Sequence, residues 1–210
     1  IESVVYWYGH ASGQRRCPMG DDQGKPASTC VYVINKLDVI ISVSDSWLLF
    51  ARENQAGESC HPDSIVNRAI WEFIAGAETK QFYDILLTTV RTRNKTVVLP
   101  FRCDSPDKRR FLELTLSPIR QDHVEFSSRV ILEEARDTVE IFKPDIPRSD
   151  ELIKMCSMCK KVALAENRWV EVEVALVSLK LFEKNRLPRI SHGLCNECFK
   201  SGMSEIDKFC

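Results

Sequence analysis

Residues 97–132 read VVLPFRCDSPDKRRFLELTLSPIRQDHVEFSSRVIL, three runs in which apolar and polar residues alternate. Val97, Leu99, Phe101 and Cys103 share one face of the first run, and Leu112, Leu114 and Leu116 share one face of the second. Val124, Phe126, Val130 and Leu132 mark the third. Side chains on a strand point to alternate faces, so each run predicts a strand with one buried side. Asp104-Ser105-Pro106-Asp107 and Arg120-Gln121-Asp122-His123 divide the runs, and such turn residues predict an antiparallel meander.

Upstream of this meander, Phe82, Ile85, Leu86 and Val90 in ETKQFYDILLTTVR recur at helical spacing and place one apolar stripe against a core. Residues 46–75 mix short helical pieces with turns, including SWLLFAREN and a Pro62-Asp63-Ser64 helix start. Before them, VYVIN and VIISVS flank the Lys36-Leu37-Asp38 turn as a β-hairpin. Residues 1–28 are interrupted by Gly9, Gly13, Pro18, Gly20, Gly24 and Pro26 and read as an irregular arm. The predicted order over 29–136 is two strands, short helices, one longer helix and three strands.

That order resembles the PAS family, as do AIWEFIAGAETKQFYDILLTTVR and LPFRCDSPDKRRFLELTLSPI, which are also similar to a group of bacterial PAS-like proteins. The resemblance implies an α+β fold, a five-stranded antiparallel sheet with helices inserted after its second strand. It also implies a ligand cavity beneath those helices, with Trp71, Phe73, Phe82, Leu86, Phe101, Leu114 and Phe126 as candidate lining residues, each of which could equally be core. Homodimerisation is a further implication, through the exposed sheet face or the arm. Some PAS domains hold haem through a histidine of the helical region, where His61 lies; His10 and His123 fall in loops with no ligand set around them. The photoactive, flavin-binding branch carries an asparagine-cysteine-arginine motif that is absent here, and Cys60 alone does not supply it.

Beyond Arg136, residues 137–150 are charged and contain Pro144 and Pro147, a composition that suits a linker. A second module over 151–210 follows, with Ser149 as an expected helix cap and Asp150 and Glu151 in the first turn. Its mark is a pair of CxxC motifs, Cys156/Cys159 and Cys195/Cys198. Two residues between thiolates let one turn aim both sulfurs at a point, and two such turns complete a tetrahedron around zinc. A site closed by four cysteines leaves no open position for catalysis and is structural. His192, three residues before Cys195, could replace a cysteine as ligand but suits a hydrogen bond to a ligand as well, and is kept outside the ligand set. CSMCKKV, Trp169 and SHGLCNEC resemble a cysteine-rich tail of bacterial sensory and response-regulator-like proteins, in which CxxCKK and SHGxCxxC frame a tryptophan. Between the pairs, WVEVEVALVSLKLF fits either a strand period or a helix with Trp169, Val172, Leu176 and Leu179 on one face.

The chain has 210 residues, 44% hydrophobic and 28% charged, with a net charge of -1, so no overall basic field points to nucleic acid. Lys160, Lys161, Lys184, Arg186 and Arg189 favour a local phosphate contact by the zinc module, but Glu166, Glu171, Glu173 and Glu183 make a mixed solvated surface. Nine cysteines, with Cys17, Cys30, Cys60, Cys103 and Cys210 outside the pairs, fit metal in a reducing compartment better than a disulfide framework, which implies a cytoplasmic protein. The Asn94-Lys95-Thr96 sequon then has no consequence. No stretch reaches the length of a membrane span, and IESVVYWYGH lacks the pattern of a secretory signal. Because the chain begins at Ile1 rather than Met, a preceding segment lies outside this reading.

No nucleophile elbow, phosphate-binding loop, HExxH or paired-carboxylate pattern supports an enzyme, and Arg102 to Pro106, which could be a functional patch, reads rather as a strand ending in a turn. The expected function is a regulatory sensor or adaptor. Its PAS-like part would bind a small molecule or signalling partner and pass the change through the linker to the zinc module. The alternatives are a nucleic-acid-associated regulator and a CxxC thiol redox sensor. A thioredoxin-like dithiol would need CxxC at a helix start in a βαβ pattern, which this region lacks.

Overall fold

The computed structural model describes residues 29–53, 62–143, 146–165 and 168–208. The hairpin read from VYVIN and VIISVS forms as β1 (Cys30–Ile34) and β2 (Ile40–Val43), closed by Asp38 in the left-handed region (φ 61°). Short helices follow, α1 (Asp45–Glu53), α2 (Pro62–Ile65) and a 3-10 turn at Ile70–Glu72. The long helix is α3 (Ala77–Arg93), begun after Gly76 and ended by left-handed Asn94.

The meander then forms β3 (Val97–Arg102), β4 (Lys108–Ile119) and β5 (His123–Ala135). The sheet order is β2-β1-β5-β4-β3, antiparallel at every pairing. The expected α+β arrangement with a five-stranded antiparallel sheet is therefore present.

The alternation read from the sequence holds through Val97, Leu99, Leu112, Leu114, Leu116, Val124 and Phe126, all buried. It fails at Leu132, which is exposed. A register irregularity between Phe111 and Leu112 shifts the β4–β5 ladder, and β5 beyond Ser128 runs past the core. Helix α3 buries a wider arc than one stripe, with Tyr83 and Leu87 as well as Phe82, Leu86 and Val90, because the C-terminal helix packs on it too.

That C-terminal part is a second sheet of order β8-β7-β6-β9, built from β6 (Arg148–Cys156), β7 (Val162–Ala165), β8 (Arg168–Val170) and β9 (Leu187–Gly193). Strands β6 and β9 are parallel, joined by a crossover that contains α4 (Val172–Ser178), and α5 (Asn196–Asp207) closes the chain. Ser149 does not cap a helix: Ser149, Asp150 and Glu151 lie in the first half of β6, where Asp150 and Glu151 are exposed. WVEVEVALVSLKLF divides, with Trp169 in β8 and Val172 and Leu176 on the buried side of α4.

Within 137–150, Val139, Ile141 and Phe142 are buried with Met155, Val162, Val172, Leu176 and Leu181 in a core of their own. Cys156, Met158, Leu194, Cys195 and Ile206 instead join the core beneath the five-stranded sheet. Among the described residues, no helix is long and apolar enough to cross a membrane.

Candidate metal centre

Parallel pairing of β6 with β9 sets Met155 opposite His192 and Cys156 opposite Gly193, so the two strands end side by side. Each strand runs directly into a CxxC turn at that end. In the first, the Lys160 N–H donates to the Cys156 carbonyl at 3.0 Å and the Cys156 N–H to the Lys161 carbonyl at 2.8 Å. In the second, Cys195 is the N-cap of α5 and its sulfur accepts the Cys198 N–H at 3.4 Å. The Cys195 N–H in turn donates to the Cys156 sulfur at 3.4 Å, which ties the turns to each other.

The outcome is that the sulfurs of Cys156, Cys159, Cys195 and Cys198 all lie within 4.8 Å of one another. The Cys159 and Cys195 sulfurs, one from each turn, are 3.7 Å apart. A tetrahedron with metal–sulfur bonds of about 2.3 Å has edges of about 3.8 Å, so the spacing fits a metal ion and is far too long for a disulfide. Cys156 and Cys195 are buried and all four are free thiols.

Packed this closely, the sulfurs titrate as a set. Contacts from Cys159, Cys195 and Cys198 push the Cys156 thiol far down, while Cys159 and Cys198 are pushed far up by contacts that include the Cys156 thiolate. At Cys195 the contact with Cys156 works upward but those with Cys159 and Cys198 win, leaving it at about 7. Four thiolates can coexist only with a cation among them, which is what metal coordination supplies.

No family model and no curated protein matches this chain. The geometry of the site therefore carries the functional reading.

His192 is outside the converging set. Burial first, and then the Lys160 charge, hold its pKa down at about 4, so it is neutral near pH 7. The seven residues picked out as pocket lining lie in or against one hydrophobic cluster. Phe126 stacks on Tyr32 at 4.5 Å between centroids, and the Trp71 indole N–H donates to Asp38 at 2.9 Å. Phe82 faces the second module, with its ring 6.2 Å from that of Phe199. The only histidine of the helical region, His61, and also His10 and Cys60 fall outside the described residues. His123 opens β5, opposite Ile119.

The sequence reading missed what surrounds the cluster. Thr79 on α3 shares a buried hydrogen bond of 3.0 Å with Ser157, inside the first CxxC turn. The Arg102 N–H, at the end of β3, donates to the Met158 carbonyl of the same turn at 2.7 Å. Gly76 approaches so closely that an added Cβ would lie 2.4 Å from the His192 carbonyl oxygen.

The Arg102–Pro106 stretch does end a strand in a turn, as read, but its side chains are also buried in an ionic network. Arg102 pairs with Asp104 and, at 2.6 Å, with Glu171; Arg136 pairs with Asp104 at 3.1 Å and Glu173 at 3.3 Å. Arg109 joins at 2.9 Å from Glu173. The acidic partners Glu171 and Glu173 precede or open α4, so this network joins the two parts of the chain. The signal in the sequence was the density of charge in RCDSPDKRR, which without the partners 64 and 69 residues away reads as a solvated turn.

Proposed function

We propose that this chain is a regulatory sensor or adaptor in which a PAS-like domain and a structural zinc module work as one mechanically coupled unit. The observation that carries the reading is the convergence of four thiols on turns that hydrogen-bond directly to β3 and α3 of the five-stranded sheet domain. Four sulfur ligands saturate a tetrahedral site, so zinc here would hold the turns in place rather than activate a substrate. A ligand or partner acting on the sheet domain would change the affinity of the second module's surface only through contacts that differ between two states. Arg102, Thr79 and the Asp104 network are the contacts between the two parts on which such a difference would act, in addition to the chain connection over 137–150.

The sheet order supports the PAS reading, with the inserted helices α1, α2 and α3 between β2 and β3. The nucleic-acid alternative has weaker support. Lys161, Lys184 and Arg189 each meet a carboxylate, on Glu197, Glu151 and Asp150, and Lys160 is buried, so these residues do not present an unopposed basic field. The redox alternative requires the two sulfurs of one motif to pair with each other, whereas here all four share one centre.

Hydrogen exchange of the full chain, compared before and after zinc removal by a chelator, tests the coupling. The expected result is loss of protection in 77–102 together with 153–200. Loss confined to 153–200 would break the mechanical link, and no change anywhere would remove the structural role of the metal.

A further inference from the structure

Lys160, directly after the first CxxC motif, is 1% exposed. Lysine is rarely so fully buried unless its charge is compensated, because moving an ammonium out of water costs several kcal/mol. Its backbone is left-handed, φ 62°, and its ammonium donates to the Ser157 carbonyl within the CxxC loop. Among the described residues no carboxylate lies within ion-pair distance of it. A carbonyl oxygen solvates the ammonium but does not neutralise it.

The anion that would do so is the cluster itself. A divalent ion with four thiolates is a dianion, and it too is buried against the sheet core. The Lys160 ammonium belongs to the same pocket: the carbonyl it donates to is that of Ser157, which lies between Cys156 and Cys159. Lys161, on the outer side, is committed to Glu197 at 2.8 Å.

We infer that Lys160 is the internal counter-charge of the metal–tetrathiolate centre, a positioning residue that draws electron density from the thiolates and offsets the negative charge of the filled site. This rests on the zinc reading and deepens it. The buried cation and the buried dianion each explain how the other is tolerated, and the leftover single negative charge is met by the peptide N–H groups of Cys195 and Cys198 on the Cys156 and Cys195 sulfurs.

The test uses the full chain loaded with zinc and, separately, with cobalt(II), in wild type, K160M and K160Q. Methionine keeps the length and packing without the charge, and glutamine keeps a hydrogen-bond donor for the Ser157 carbonyl without the charge. Zinc retention is read by competition with a chromogenic chelator, and the thiolate environment by the sulfur-to-cobalt charge-transfer band. The expected result is a zinc affinity reduced about 10- to 100-fold in both variants, as for loss of other groups that support metal ligands. The charge-transfer band should move to longer wavelength in both, because thiolates relieved of a nearby cation donate more easily.

A fold or packing role would alter neither the band position nor, in a folded K160Q, the retention. Variants that keep wild-type retention and an unshifted band would overturn the role of Lys160 while leaving the zinc reading intact. A wild-type chain that takes up neither metal would overturn both.

Discussion

At Gly202 in α5 an added Cβ would lie 2.2 Å from the Phe82 Cζ atom, inside the contact through which the C-terminal helix sits on α3. Alanine would gain about 1 kcal/mol of helix propensity, but so deep an overlap with a fully buried ring costs about 1–3 kcal/mol. Gly202→Ala is therefore expected to lower stability in urea titration, and a variant more stable than wild type would contradict the packing described. His192 gives the pH dependence. Its pKa is about 4 in the folded chain against an ordinary 6.5, so the unfolded state takes up a proton in this window and the folded state does not. Stability should be fully present above about pH 6.5 and fall as the pH drops toward 4, by up to about 1.4 kcal/mol per pH unit. His192→Gln should remove that part of the slope; because acid release of metal is common to both proteins, identical slopes would refute the assignment.

Between elements, the test falls on the ionic network. The Asp104 carboxylate is 0% exposed and holds both Arg102 and Arg136, so Asp104→Ala leaves two buried guanidinium groups with only the half-exposed Glu171 and Glu173 as carboxylate partners and is expected to cost about 3–5 kcal/mol. Glu133, which pairs with Lys108 at 2.6 Å with both side chains about 40% exposed, serves as the comparison. Lys108→Ala should cost no more than about 1 kcal/mol. Equal costs in paired urea titrations would mean that the network does not join the two sheets.

This is also the scale at which sequence legibility ends. The meander and α3 could be read because each strand buries one face and the helix repeats its apolar residues locally. The parallel β6–β9 pairing could not, because its partners are almost 40 residues apart and the polar start of β6 imitates a helix cap. Cysteine spacing announced the four-sulfur cluster, since two intervening residues fix a turn by themselves. Lys160 was read as a surface base because lysine usually is one, and only the folded chain buries it against the Ser157 carbonyl of the first CxxC turn.

For the whole molecule, the sheet core continues into Cys156, Met158, Leu194, Cys195 and Ile206 without a break. Two parts sharing a core and a buried ionic network should unfold together, so urea titration followed by tryptophan fluorescence and by far-UV circular dichroism should give one coincident transition. Chelation of the metal should lower its midpoint without splitting it into two steps. Phe142, buried with Arg136 over its ring at 4.8 Å, belongs to the second core rather than to a free tether. Phe142→Ala should lower the unfolding free energy read from the same single transition by about 3–5 kcal/mol. The most direct measurement is native mass spectrometry of the reduced, purified chain combined with thiol alkylation. One zinc ion per chain, with Cys156, Cys159, Cys195 and Cys198 shielded from reagent until a chelator is added, is the expected result. A metal-free chain whose four thiols react in the folded state would contradict the account.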